Sequence, residues 1–263
     1  MWQWQRRFAR TRGVGLLRGK PGTRVTHRPR RNEPRLAAGV EHWRALDRLQ
    51  VVTVVDTGAN KGQFALVTTE VFPGAAIYCS EPLEQPTARL RSKMLSTGVR
   101  LFEMAIGRSQ NHRIINVSRQ ADSSTLLLIA KQSEIFPGTE LWEKRVVLVA
   151  PLTKFLSLGN LEPLALLKID VQGYKLEGLK GCDALLFPFR HVYSDCSFVE
   201  LYQGQALNGN VVLYLLRRNF ELCGVYNQVE GIQTGDRYRQ ISCSRDPARC
   251  STSCRLCVAP SGT

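Results

Sequence analysis

Apolar residues along this chain follow two alternating rhythms. Leu36, Val40, Trp43, Leu46 and Leu49 are spaced by four and three, the stripe of a helix with one buried face. Val51 to Val55 is a short β-branched run that ends in Asp56 and predicts a strand. Phe64 to Phe72 predicts a helix stopped by Pro73-Gly74. Ala75 to Cys79 predicts a second strand, running into Ser80-Glu81-Pro82. Residues 84–96 predict a helix carrying Ala88, Leu90, Met94 and Leu95 and closed by Gly98, and Val99 to Ile106 a third strand. Arg113 to Val117 and Arg145 to Val149 are strand-like runs around a Ser/Thr segment. Leu164 to Asp170, Val192 to Val199 and Phe220 to Tyr226 predict further strands, separated by helices over Tyr174 to Leu186 and Val211 to Arg218. Strand and helix in alternation predict an α/β fold with a mostly parallel sheet.

Both ends depart from this rhythm. Residues 1–35 mix Gly13, Gly15, Gly19, Pro21, Gly22, Pro29 and Pro34 with many arginines, so a flexible basic head is expected there. The folded domain is expected over 36–242. Residues 243–263 form a tail rich in Cys, Ser and Arg, expected to be disordered. The formal net charge of +14 follows the same division. Residues 1–50 hold 13 Lys/Arg against 3 Asp/Glu, and the rest hold 23 against 19. The basic character belongs to the head, which argues against a nucleic-acid surface on the folded body. Hydrophobic residues at 43% and charged residues at 22% are ordinary for a globular protein and exclude collagenous and wholly disordered classes. No apolar run reaches the ~18–20 residues of a membrane span. Val14 to Leu17, broken by Gly15, is shorter than the ~7–15 residue core of a signal peptide. A cytoplasmic protein is expected, although the Arg-rich, acid-poor head also has the composition of a mitochondrial presequence. Cys79, Cys182, Cys196 and Cys223, scattered among apolar neighbours, read as reduced packing residues.

The chemistry concentrates in Val54-Val55-Asp56-Thr57-Gly58-Ala59-Asn60-Lys61-Gly62-Gln63-Phe64. An apolar strand ends in an acid, and a turn with two glycines leads into a helix. In doubly wound folds such a turn lies where the ligand sits. Gly58 suits a close backbone approach, Gly62 a helix starting near the ligand, and Asp56 an ammonium group, while the helix N-terminus favours a carboxylate. Glu81 ends the next strand, 25 residues after Asp56, where an acid can hold two ribose hydroxyls. A nucleoside carrying an amino acid, S-adenosylmethionine (SAM), matches both ends. A nicotinamide oxidoreductase is the alternative, since Glu81 suits an NAD ribose equally. It requires glycine where this chain has Asn60.

Several blocks together resemble the FkbM-type methyltransferases. Val55 to Ala65, with its Asn60, is similar to the family's opening motif, and Glu81-Pro82-Leu83 to its second. Ala105-Ile106-Gly107 and Ser123-Ser124-Thr125-Leu126 follow. Lys168-Ile169-Asp170-Val171-Gln172-Gly173-Tyr174, with Leu176-Glu177 and Leu179-Lys180-Gly181, is the most specific match. Ser197-Phe198-Val199, Leu201 to Gln205 and Gly224 to Asn227 keep the family's order. The resemblance implies a class I methyltransferase (Rossmann-like) fold, a mainly parallel seven-stranded sheet flanked by helices. It implies SAM as cofactor and a hydroxyl of a sugar or small-molecule acceptor as target. Asp56, Gly58 and Asn60 then fall at the methionine end, Glu81 at the ribose, and Asp170 at the methyl group or acceptor. This chain departs from the family at Lys175, usually an acid, at Pro151-Leu152-Thr153-Lys154, and at Asp195, commonly Glu. From Tyr238 it runs into Ser-Cys-Arg sequence where the family has an apolar closing strand. These departures bear on acceptor positioning and on closure of the sheet.

Asp170 fits three roles: a base for the acceptor hydroxyl, a group that orients acceptor or sulfonium, or a cap on the following helix. Gln172 suits the site or a turn. Lys168, two residues before Asp170 on the same strand face, suits a salt bridge. His27, His42, His112 and His191 lack metal-ligand spacing and read as surface or core residues. Cys250, Cys254 and Cys257 have the spacing of an iron–sulfur motif, but only six residues follow, too few for the barrel such a motif serves. With Cys243 they also lack the paired knuckles of a zinc site, so no metal is expected. A catalytically degenerate SAM-binding protein is a further alternative.

Overall fold

A computed structural model of the chain describes residues 40–46, 48–94, 97–230 and 237–246. The head 1–35 and the cysteines at 250, 254 and 257 lie outside the described residues. Helix α1 (Val40–Leu46) precedes β1 (Thr53–Thr57). Then come α2 (Gln63–Val71), β2 (Ala76–Ser80), α3 (Glu84–Met94), β3 (Arg100–Phe102), β4 (Ala105–Ile106) and β5 (Asn111–Ser118). The second half holds α4 (Lys131–Ile135), β6 (Leu141–Ala150), β7 (Ala165–Ile169), α5 (Lys175–Cys182), β8 (Phe189–Ser197), α6 (Asn208–Leu216), β9 (Glu221–Glu230) and β10 (Arg237–Ser244).

Seven strands form one sheet in the order β3-β2-β1-β7-β8-β10-β9. Neighbours are parallel except where β10 pairs antiparallel with β8 and β9. Side chains alternate across the sheet. Val54 and Leu166 enter one core with Leu46, Phe64 and Tyr193, while Val55, Leu167 and Ile169 enter the opposite core with Leu179, Val192 and Leu215. Covering both faces explains why β1 and β7 are buried at every position and read as unbroken apolar runs. From β1 the chain proceeds outward to β2 and β3, whereas β7 proceeds the other way to β8. The boundary between β1 and β7 is therefore the point where the winding reverses, and the crevice beyond their carboxyl ends is the place for a ligand.

The structure differs from the expected elements at three places. The single strand expected over Val99 to Ile106 is two. The backbone turns at Glu103, where the Met104 N–H donates to the Phe102 carbonyl at 3.0 Å, and exposed Glu103 pairs with Arg91 of α3. β3 stays at the edge of the large sheet, while β4 joins a three-stranded sheet of order β4-β6-β5. This small sheet packs Ile115, Val117, Val147 and Val149 around Tyr174. An apolar run alone does not reveal that its two halves serve different sheets.

The closing strand that the Ser-Cys-Arg sequence left in doubt is β10. Its Ile241 and Cys243 enter the core beside Val192 and Cys196, and its small Ser242 and Ser244 are buried on the other face. The boundary expected at residue 243 therefore moves, because Cys243 and Ser244 pair with Val192 and His191. Beyond them, Arg245 donates to the carbonyls of Leu186, Phe187 and Arg218 and lies over the ring of Phe220.

Cysteine chemistry supplies the third difference. Cys79, Cys182, Cys196 and Cys243 are free and buried. Cys223 is disulfide-bonded, not a reduced packing residue.

Candidate active site

The turn after β1 and the turn after β2 are bound to one another. The N–H groups of Gly58 and Ala59 both donate to the Ser80 carbonyl, at 2.9 and 3.0 Å. Glu81 then reaches across. Its Oε2 accepts the Asn60 N–H and its Oε1 accepts the Leu83 N–H, each at 3.0 Å. Burial pushes the Glu81 carboxyl up to about 7 in spite of these two amide bonds. Gly58 has φ +71, and a Cβ at that position would collide with the Asp170 carbonyl oxygen, so only glycine lets the β1 and β7 turns touch. Asn60 has φ +48, and Gly62 caps the start of α2 with φ +79. Among the described residues, the buried Asn60 Oδ1 and Ser80 Oγ have no hydrogen-bond partner.

Asp56 sits below this turn and is fully enclosed. Its Oδ1 faces Lys168 Nζ at 2.8 Å. The register explains the meeting: Lys168 of β7 is the direct neighbour of Asp56 on β1, which places both side chains on one face. The lysine also donates to the Gly58 carbonyl at 3.0 Å and stands 3.8 Å from Asp170 Oδ2. Burial works against the Lys168 ammonium, but Asp56 and Asp170 outweigh it and hold the lysine charged, above its ordinary range. Asp56 therefore presents no open carboxylate: Lys168 answers it beneath the Gly58 turn.

Asp170, half-buried at the carboxyl end of β7, accepts the Gln172 side-chain N–H on Oδ1 at 2.9 Å, and its own N–H donates to the Thr57 carbonyl at 3.1 Å. Gln172 is held in turn. The Tyr202 hydroxyl donates to its Oε1 at 3.1 Å, and the Thr125 hydroxyl donates to its carbonyl at 2.6 Å. The separated blocks around Ser123 to Thr125, Asp170 to Tyr174 and Leu201 to Gln205 therefore assemble into one support for Asp170. Gln205 completes it by accepting the N–H groups of Leu201 and Tyr202.

Two departures from the family pattern prove to be partners. Lys175 Nζ lies 3.5 Å from Asp195 Oδ2, with Lys175 buried. Burial raises Asp195 to about 6, with Lys175 opposing the shift and Asp170 adding to it. A cation at 175 is answered by an acid at 195.

The structure brings Asp56, Gly58, Asn60, Gly62, Glu81 and Asp170 to the same end of the sheet. Sequence reasoning reduced Lys168 to a salt bridge and left its other two contacts unseen. A lysine inside the wholly buried run Ala165–Ile169 was the available signal, since a lysine is almost never enclosed without a specific partner. The Lys175–Asp195 pair joins the first residue of α5 to β8 and left no local signal. His42 takes a core role, with its Nδ1 3.1 Å from the Tyr193 hydroxyl; burial lowers it to about 4 and keeps it neutral.

Comparison with known proteins places these observations. Residues 56–222 match the family model described as "Methyltransferase FkbM domain". The chain is 31% identical over 188 residues to 2-O-methyltransferase NoeI of Sinorhizobium fredii, covering 68% of this chain and 76% of that protein. Among solved structures, a methyltransferase FkbM from Methylobacillus flagellatus KT aligns with TM-score 0.47 and 13% identity, over 73% of this chain and 43% of that one. Magnesium protoporphyrin IX methyltransferase from Synechocystis PCC 6803 aligns with TM-score 0.44 and 12% identity, over 81% and 79%. The chain thus spans less than half of the Methylobacillus protein. The family model and the Sinorhizobium relative decide between the nicotinamide and methyl-donor readings: the chain belongs to the FkbM family of methyltransferases, whose methyl donor is S-adenosylmethionine.

Proposed function

We propose that this enzyme methylates a hydroxyl oxygen of a saccharide or similar polyhydroxylated small molecule, with Asp170 as the group that receives the hydroxyl proton. The observation that carries the reading is the contact between Asp170 and the Gly58 turn. It sets a half-buried carboxylate, steadied by Gln172, beside the Gly58 turn, which this reading takes as the cofactor end. The Sinorhizobium relative, a 2-O-methyltransferase, supports oxygen as the accepting atom.

The cofactor, when bound, supplies an electrophilic methyl group on a sulfonium. The residues of the cleft suit such a molecule. Glu81 keeps free lone pairs for ribose hydroxyls beside its two amide bonds. Among the described residues the enclosed Asn60 Oδ1 and Ser80 Oγ each lack a donor, an arrangement that costs about 1–3 kcal/mol per group unless a ligand supplies one. The N-terminus of α2 and the Gly58–Gly62 turn suit the methionine carboxylate. On the acceptor side, Asp170 accepts the O–H hydrogen bond and turns an oxygen lone pair toward the methyl carbon. The hydroxyl proton would pass to Asp170 and from there to solvent as the oxygen takes the methyl group. Alignment of the two reactants supplies much of the rate in such a displacement.

The test is transfer from methyl-labelled SAM to a panel of monosaccharides and glycosides, with products sequenced by mass spectrometry. A methyl ether on a ring hydroxyl, with turnover lost in Asp170→Asn, supports the reading. Methylation confined to nitrogen or carbon acceptors overturns it.

A further inference from the structure

Lys168 stands where the cofactor side and the acceptor side of the cleft meet. Its ammonium faces one group of β1 and one from each of the turns after β1 and β7: Asp56 Oδ1 at 2.8 Å, the Gly58 carbonyl at 3.0 Å and Asp170 Oδ2 at 3.8 Å. A lysine that only neutralised Asp56 would need neither of the other two. The strands beneath are locked as well, because the Thr57 hydroxyl donates to the Lys168 carbonyl at 2.9 Å and the Asp170 N–H donates to the Thr57 carbonyl at 3.1 Å. The side chain is enclosed, with the Phe64 ring of α2 5.8 Å away and Tyr193 of β8 as its cross-strand neighbour. Screening is weak in such a place, so one ammonium between two carboxylates acts strongly on the position of both.

We propose that Lys168 is a positioning residue for methyl transfer: its ammonium ties the Asp56–Gly58 turn to the Asp170 carboxylate and thereby sets the bound cofactor against the acceptor-side acid. This rests on the site assignment made above. Two consequences distinguish it from a structural ion pair. Lys168 and Asp170 act on cofactor binding as a coupled unit, and a positive charge at 168 is required.

A double-mutant cycle in the full chain tests this, read by calorimetric binding of SAM, with thermal melting of each ligand-free variant. Lys168→Met is expected to weaken SAM binding about tenfold or more, the scale of losing a charge-assisted contact. Asp170→Asn is expected to change the affinity of the wild-type protein and to lose at least a twofold part of that effect in the Lys168→Met background, as coupled neighbours do. Lys168→Arg, which keeps the charge but brings a larger planar group, is expected to keep the Asp170→Asn effect even where its own affinity falls. If Lys168→Met does not melt cooperatively, the cycle is run with Lys168→Gln, which retains a donor toward Gly58. An Asp170→Asn effect of equal size in both backgrounds, or wild-type affinity in the uncharged variant, overturns the inference alone. Failure of the wild-type protein to bind SAM overturns the site assignment and the inference with it.

Discussion

Asp56 and Lys168 form an ion pair with side-chain exposures of 0% and 8%, which fixes what a substitution there does. Removing one partner leaves the other charge buried and unanswered, at a cost of about 3–5 kcal/mol. Asp56→Ala is therefore expected to lower the unfolding free energy by that amount in urea titrations. Asp56→Asn, which leaves an oxygen facing the lysine, is expected to cost less. An Asp56→Ala protein unfolding at the wild-type midpoint would remove the pair from the account. Glu81 behaves differently because its raised value lies near neutrality. With a folded value of about 7 against an ordinary 4.5, Glu81 favours the folded ligand-free state most below pH 4.5, and that contribution disappears as pH rises through 7. Ribose hydroxyls require the opposite form, since the ionised carboxylate is the better acceptor. SAM affinity is therefore expected to rise between pH 6 and pH 8, and Glu81→Gln to flatten that slope. An equal slope in Glu81→Gln would assign the titration to another group. Asp56, Gly58, Glu81 and Asp170 were legible as candidates because each stands at a strand end or a turn, where local sequence carries the signal. The enclosure of Asp56 was not legible, because it depends on Lys168, more than a hundred residues away.

At the level of elements, most strands and helices were legible from period and punctuation, and the exceptions have identifiable causes. Val99 to Ile106 read as one strand because its apolar run hides the turn at Glu103. β10 was obscured by Ser242 and Ser244, which are buried for their small size, and by its Arg and Gln positions, while Ile241 and Cys243 carry its apolar face. The motif Leu179-Lys180-Gly181 resembled the family without a visible reason, and the packing of α5 provides one. A Cβ on Gly181 would lie 2.5 Å from the Gly107 carbonyl oxygen, so the helix meets backbone of the Ala105-Ile106-Gly107 block directly. Gly181→Ala is expected to force the helix outward at a cost of about 1–3 kcal/mol. Gly209→Ala, in α6 with nothing within 4 Å of its would-be Cβ, is expected to be neutral or stabilising by up to about 1 kcal/mol. Denaturant unfolding of the two variants checks the pair. Equal stabilities would mean that α5 and Gly107 are not in contact.

For the whole molecule, the alternation of strand and helix announced the fold class, and the order of the motif blocks announced the family. The formal net charge of +14 would have misled had it not been divided by position, since the folded body is close to balanced. Among the described residues no helix is long and apolar enough to cross a membrane. What no linear reading could supply is convergence: turns after β1, β2 and β7, together with Thr125 and Tyr202, meet only because the winding reverses between β1 and β7. The central claim is that SAM occupies this meeting point with Glu81 on its ribose. Calorimetry of the wild-type and Glu81→Ala proteins at pH 8, titrated with SAM and with NAD, tests it most directly. The account predicts that SAM binds, that NAD does not, and that Glu81→Ala weakens SAM by about 1.5–3 kcal/mol, roughly one to two decades in affinity. Unchanged SAM affinity in Glu81→Ala, or NAD binding in place of SAM, would contradict it.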